Sequence, residues 1–207
     1  MKINLAENKD RFINLAKTYI KRDGIDKLLA WLETTDFFVA PASTKYHLCI
    51  EGGLCQHTLD VFENMVNLCN AHYGEDEVYN GTSEDDEGAF TMENIAIVTL
   101  FHDLCKIGCY VRDFKNVKVD GKWVQQEYWK WDEKFIYGRG AKSVYIIQQF
   151  MRLYVDEAQA IRFHTGGHED PLNDVTESAY MQVFDKSPFA VFLFLADTMA
   201  MYLSKGE

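Results

Sequence analysis

The chain has 207 residues, 21 Lys and Arg against 32 Asp and Glu, a net charge of −11, and 47% hydrophobic content. This length and apolar content predict a single domain with a sizeable core and exclude intrinsic disorder for most of the chain. The acidic balance disfavours duplex nucleic acid and anionic membranes as partners. The longest apolar run, Phe189 to Ala196, stops at Asp197, far short of the ~18 residues a spanning helix needs, so no membrane segment is expected. The first dozen residues lack the apolar core of a signal peptide, and Cys49, Cys55, Cys69, Cys105 and Cys109 are odd in number and sparsely spaced. A cytoplasmic chain with reduced thiols is the expectation.

Helical periodicity dominates the chain order. Phe12, Leu15, Ala16, Tyr19 and Ile20 form one apolar stripe, and Leu28, Leu29, Trp31 and Leu32 form another after Gly24. A third helix is expected from Leu54 to about His72, with Gly74 as its stop. The acids Glu75, Asp76, Glu77, Glu84, Asp85, Asp86 and Glu87 follow without any Lys or Arg, which predicts a solvated loop. Thr91 and Glu93 signal a helix start, because a hydroxyl caps free NH groups and an early carboxylate favours the positive end of the dipole; that helix is expected to reach about Lys106. Alternation from Val111 to Val119, the turn pair Asp120-Gly121, and Lys122 to Trp131 predict a β-hairpin. Helices are expected at Lys142 to Leu153, Asp156 to about His164, and Thr176 to Phe184, with a last one capped by Ser187 and opened by Pro188. The expected fold class is therefore mainly α with one small β-hairpin insertion.

Three features stand out chemically. His102-Asp103 follows Thr-Leu-Phe on an apolar helix, where two ionisable groups are costly to bury unless paired or bound to a metal. Asp197 sits in a helix expected to be core on nearly all sides, where a lone carboxylate costs several kcal/mol unless a metal, or a salt bridge such as one to Arg162, compensates it. His57 follows the Gly52-Gly53 turn in the first turns of a helix. Two imidazoles and two carboxylates suit Mn, Fe, Ni, Co, Zn or Mg better than copper. A P-loop reading of Gly138 to Ser143 fails for want of the first glycine at the right spacing. Cys105 and Cys109 lack a C-x2-C partner pair and read as core thiols rather than zinc ligands. The aromatics Trp123, Tyr128, Trp129 and Trp131 either pack the hairpin on the helices or offer faces to a nucleobase, with packing favoured.

The motif order H…HD…D, with Gly52-Gly53-Leu54 before His57-Thr58 and His102-Asp103-Leu104-x-Lys106-Ile107-Gly108, resembles the HD-domain metal-dependent phosphohydrolases. Further matches are Gly138-x-Gly140-x-Lys142-Ser143-Val144, Asp156-Glu157-Ala158-x-Ala160-Ile161-Arg162 leading to His164, and Leu195-Ala196-Asp197. The resemblance implies an HD-domain-like helical bundle, with N-terminal helices in residues 1–45 and a motif-bearing core in residues 46–203. It implies His57, His102, Asp103 and Asp197 as ligands of a divalent metal, Asp103 and Lys106 as catalytic residues, and Lys106 as a phosphate contact. Taken alone, Lys106 reads as an exposed lysine favouring a helix C-terminus. Arg139 stands where relatives often carry a histidine; a guanidinium cannot ligate a metal, so it is expected to clamp phosphate instead. His164 matches the family's downstream histidine, as a substrate contact, a second ligand or a proton donor, whereas His168 reads as a loop residue. The implied activity is hydrolysis of a small nucleotide or other phosphate ester, with a non-catalytic nucleotide-binding or regulatory HD domain as the alternative. Homo-oligomerisation is left open.

Overall fold

The N-terminal stripes form α1 (Leu5–Tyr19), capped by the Asn4 side chain, and α2 (Ile25–Leu32). This is a computed structural model, and it describes residues 3–74, 90–166 and 174–203, with side chains described only from 179 in the last stretch. The expected acidic loop and His168 lie outside those residues. α3 (Gly53–Tyr73) ends at Gly74, as the sequence predicts. α4 (Met92–Phe101) opens with a capping box in which the Thr91 hydroxyl accepts from Asn94 N and the Asn94 carbonyl accepts from Thr91 N, both at 3.2 Å. The expected continuation to Lys106 fails: the α-helix stops at Phe101, and Leu104–Lys106 form a separate 3-10 turn.

β1 (Tyr110–Val119) pairs antiparallel with β2 (Lys122–Trp131), in a register running from Tyr110↔Trp131 to Val119↔Lys122. Asp120 and Gly121 take φ of 49° and 81°, the mirror-image turn whose twist matches a hairpin. α5 (Arg139–Gln148) starts earlier and stops earlier than expected, and the sequence periodicity beyond it belongs to a buried turn in which Met151 N donates to Ile147 O and Leu153 enters the core. α6 (Val155–Arg162), α7 (Asp174–Lys186) and α8 (Pro188–Tyr202) complete the order, with the Ser187 hydroxyl accepting from Ala190 N.

The described residues are mainly helical with one small two-stranded hairpin. α3 packs against α8 and α4, α6 against α8 and α5, and α1 against α4 and α3. α4 is buried on every side, which explains its lack of amphipathic pattern. α8 is not: it buries a stripe of Phe189, Ala190, Leu193, Ala196, Asp197 and Ala200 and leaves Leu195 exposed, so the expectation of an all-round core helix is corrected. Arg22, after α1, is clasped by Glu157 of α6 at 2.6 and 3.0 Å, and Asn94 of α4 donates to the same carboxylate at 2.8 Å. No helix among the described residues is long and apolar enough to cross a membrane.

Candidate metal centre

Four elements bring the expected ligands to one buried point. His57 lies near the start of α3, His102 caps α4, Asp103 precedes the 3-10 turn, and Asp197 lies in α8. All four are at most 6% exposed. His57 Nε2 is 2.9 Å from Asp197 Oδ1, 3.5 Å from Asp103 Oδ2 and 3.4 Å from His102 Nε2, while His102 Nε2 is 3.5 Å from Asp103 Oδ2. His57, His102 and Asp103 alone place one donor atom each within 4.8 Å of one another, and Asp197 joins them through the two imidazoles.

The broken helix makes this convergence work. On a continuous helix, neighbouring side chains diverge by ~100°. Asp103 instead has φ −103° and ψ 17°, outside the α-helical region, and its carboxylate turns to the same side as the His102 ring. Close packing supports the rest. A Cβ on Gly53 would overlap Leu48 O and approach Ala42 N to 2.9 Å, so only glycine lets the segment 42–48 lie against the start of α3 beside His57. A Cβ on Gly140 would stand 2.5 Å from Ile161 O and overlap Arg162 O, which explains the Gly-x-Gly that opens α5 against α6.

The protonation pattern fits a cation. His102 Nδ1 lies 2.8 Å from Thr99 O and His164 Nδ1 lies 2.7 Å from Ile161 O; a carbonyl only accepts, so both Nδ1 atoms carry protons. Burial lowers the pKa of His102 despite Asp103 beside it, which keeps the ring neutral. Its Nε2 lone pair therefore faces two carboxylates. Burial pushes the Asp197 carboxyl up, but the hydrogen bond and charge of His57, with His102 and His164, bring it down to about 2. Asp103 is likewise pushed up by burial and held well below the ordinary range, chiefly by Lys106. Two carboxylates, one ammonium and the Nε2 lone pair of His102 therefore meet at one buried point. Such a donor set suits a divalent ion, and backbone carbonyls fixing imidazole tautomers are the usual support of metal-binding histidines.

Lys106 is not the exposed helix-end lysine that its position taken alone would suggest. Its side chain is 12% exposed, and Nζ sits 2.7 Å from Asp103 Oδ2 while donating to Ala42 O at 3.0 Å. Arg139 is exposed at the first turn of α5, with its guanidinium 5.8 Å from the Trp131 ring. His164 follows α6, with Nε2 3.7 Å from Asp103 Oδ1 and its ring 4.9 Å from that of His102. Asp197 pairs with imidazoles and makes no ion pair with Arg162. The Cys109 thiol donates to Cys105 O at 3.3 Å and approaches Lys142 Nζ at 3.4 Å, in keeping with core thiols.

Two contributors escaped the sequence. His47 packs its ring 4.9 Å from that of His57, and its buried Nε2 has no hydrogen-bond partner among the described residues. Burial, with His57 and Lys106 nearby, pushes its pKa down to about 4. Tyr110 donates to Ala42 O at 2.9 Å, the acceptor also used by Lys106. Neither carried a signal in the sequence: His47 lies five residues before Gly52, and Tyr110 lies just before the alternation that begins at Val111. His47, Lys106, Tyr110, Trp131 and Arg139 line a cavity of ≈ 450 Å³ that adjoins the cluster through His47 and Lys106. Comparison with protein-family models, curated proteins and solved structures gave no match to this chain.

Proposed function

We propose that the chain is a metal-dependent phosphohydrolase of the HD-domain type, acting on a small phosphate ester and preferring a nucleotide or other phosphomonoester. The observation that carries this reading is the buried, lone-pair-rich meeting of His57, His102, Asp103 and Asp197 beside a cavity bearing Lys106 and Arg139. The motif order H…HD…D supports it. His57, His102, Asp103 and Asp197 hold one divalent ion, drawn from Mn, Fe, Ni, Co, Zn and Mg. Such an ion supplies Lewis acidity toward a water nucleophile and a phosphoryl oxygen.

The chain's own groups do the rest. An ammonium has three donors, and Asp103 and Ala42 O occupy two of those on Lys106, leaving one for a substrate phosphate oxygen. Asp103 thereby both ligates and fixes that cation. Arg139, across the cavity, offers a planar pair of donors to the same phosphate. His164, facing Asp103, serves as a further ligand or as the donor of a proton to the leaving group.

The test is metal content per chain by elemental analysis, for protein purified without chelator and for Asp103→Ala. It is followed by hydrolysis of p-nitrophenyl phosphate, bis-p-nitrophenyl phosphate and nucleotides under each metal. One ion per chain, lost in the variant, together with metal-dependent turnover, is the expected result. Two ions per chain make His164 a ligand and remove the case for Arg139 as a substitute for the second cation. No metal after incubation with Mn and Ni refutes the reading. Nucleotide binding without turnover under every metal identifies the regulatory alternative.

A further inference from the structure

We infer that the face of the hairpin bearing Arg112, Phe114, Lys118 and Trp123 is a track for a short single-stranded nucleic acid, leading into the cavity beside the candidate metal centre.

The register places every second residue on this face. Moving outward, the pairs are Tyr110↔Trp131, Arg112↔Trp129, Phe114↔Glu127, Asn116↔Gln125 and Lys118↔Trp123. The first pair belongs to the cavity wall. The guanidinium of Arg112 lies 3.7 Å from the Trp129 ring, and Trp129 and Trp131 pack on the core, so the base of the hairpin is anchored. Its outer part is not: Phe114 is 61% exposed and Trp123 is 71% exposed. At these exposures Phe114 and Trp123 leave most of their rings in solvent, and both offer a flat surface to a base.

The charge selects the occupant. By the register, Arg112 and Lys118 are the cations of this face and Glu127 its carboxylate, in a chain whose net charge is −11, while Lys115, Lys122 and Lys130 belong to the opposite face. Glu127, the one carboxylate on this face, is held by Arg112 at 2.9 Å, so Lys118 beside Trp123 sets the outer potential. Phe114 and Trp123, with Lys118 and the amide pair Asn116 and Gln125 between and beside them, match bases joined by phosphates. Same-face neighbours on a strand lie roughly 7 Å apart, which a stretched single strand can follow and a stacked duplex cannot. The acidity of the rest of the chain limits the bound stretch of a strand to a few nucleotides.

This inference deepens the hydrolase reading by naming an oligonucleotide as the ligand that reaches its cavity, and it can be tested separately. Fluorescence anisotropy of a labelled dodecathymidylate and of the dodecauridylate is measured with the full chain, Trp123→Ala, Phe114→Ala and Lys118→Glu. All three positions are at the surface of the ribbon, and a circular dichroism melt checks each fold. Expected is binding that each ring removal weakens by about tenfold. Binding is also expected to weaken further in Lys118→Glu and to fall as salt rises from ~50 to ~200 mM. No binding at low salt, binding indifferent to all three substitutions, or equal affinity for a duplex of the same length overturns the inference. So does reversible dimerisation in sedimentation that Trp123→Ala abolishes, which would make this face a self-contact. Oligonucleotide binding with no hydrolysis under any metal leaves the track standing and refutes only the hydrolase reading. Hydrolysis of p-nitrophenyl phosphate without oligonucleotide binding does the reverse.

Discussion

Replacing Glu157 with Ala is expected to destabilise the fold severely, although the residue lies outside the candidate metal centre. Its carboxylate is 1% exposed and accepts from Arg22 at 2.6 and 3.0 Å, from Asn94 at 2.8 Å and from Tyr154 N at 2.8 Å. The Arg22 side chain is only 12% exposed, and its guanidinium is pressed over the Tyr154 ring at 4.2 Å, so it cannot recover full hydration when its partner is lost. Glu93, the remaining carboxylate, stands at 3.5 Å and compensates weakly. Breaking a buried pair by deleting one member costs about 3–5 kcal/mol. At roughly 2–4 °C per kcal/mol for a chain of this size, the thermal midpoint falls by about 6–20 °C. Urea and thermal unfolding of wild type, Glu157→Ala, Arg22→Met and the double variant measure both the loss and the coupling. The double variant is expected to lose less than the sum of the singles, because it leaves no buried charge unpaired. A loss below about 1 kcal/mol for Glu157→Ala would mean that the pair behaves as a solvated surface contact and would refute the reasoning.

A divalent ion bound at the His57, His102, Asp103 and Asp197 cluster is expected to raise the thermal midpoint of wild type but not of Asp103→Ala. At a hundredfold excess over Kd, the stabilisation is about 3 kcal/mol in differential scanning fluorimetry. Gly140→Ala is expected to lower the unfolding free energy measured in urea by about 1–3 kcal/mol, because the new methyl meets the backbone of Ile161 and Arg162 rather than a side chain that can move aside. Burial foremost holds the His47 imidazole at about 4, against 6.5 when unfolded, so the unfolded chain takes up a proton first as pH falls. Its contribution is therefore intact above pH 6.5 and lost between 6.5 and about 4, and His47→Gln is expected to flatten the stability profile over that window alone.

Caps, turns and periodicity were legible because they are local. Ser187 before Pro188, Thr91 at the head of its helix, and Asp120-Gly121 between alternating runs each act on backbone groups within a few residues, so the same physics operates whatever surrounds them. The candidate ligands were legible for a different reason: ionisable residues in apolar helices are costly, and their order resembles a family pattern. The division of the hairpin aromatics was not legible. Trp129 and Trp131 pack on the core as favoured, while Trp123 stands in solvent, and alternation alone does not say where a ribbon leaves the body.

Composition and local pattern thus determined a mainly helical chain with one hairpin, and named His102, Asp103 and Asp197 as residues in need of compensation, while His57 joined them through the resemblance. Tertiary packing decided how that need is met. It broke the helix after Phe101 so that Asp103 turns toward His102, closed Lys106 onto Asp103, and set His47 on the ring of His57. It also joined Arg22 to Glu157 across 135 residues. Each of these depends on a partner distant in sequence, whose approach is fixed by how the helices bury their apolar faces, and no local propensity carries that information.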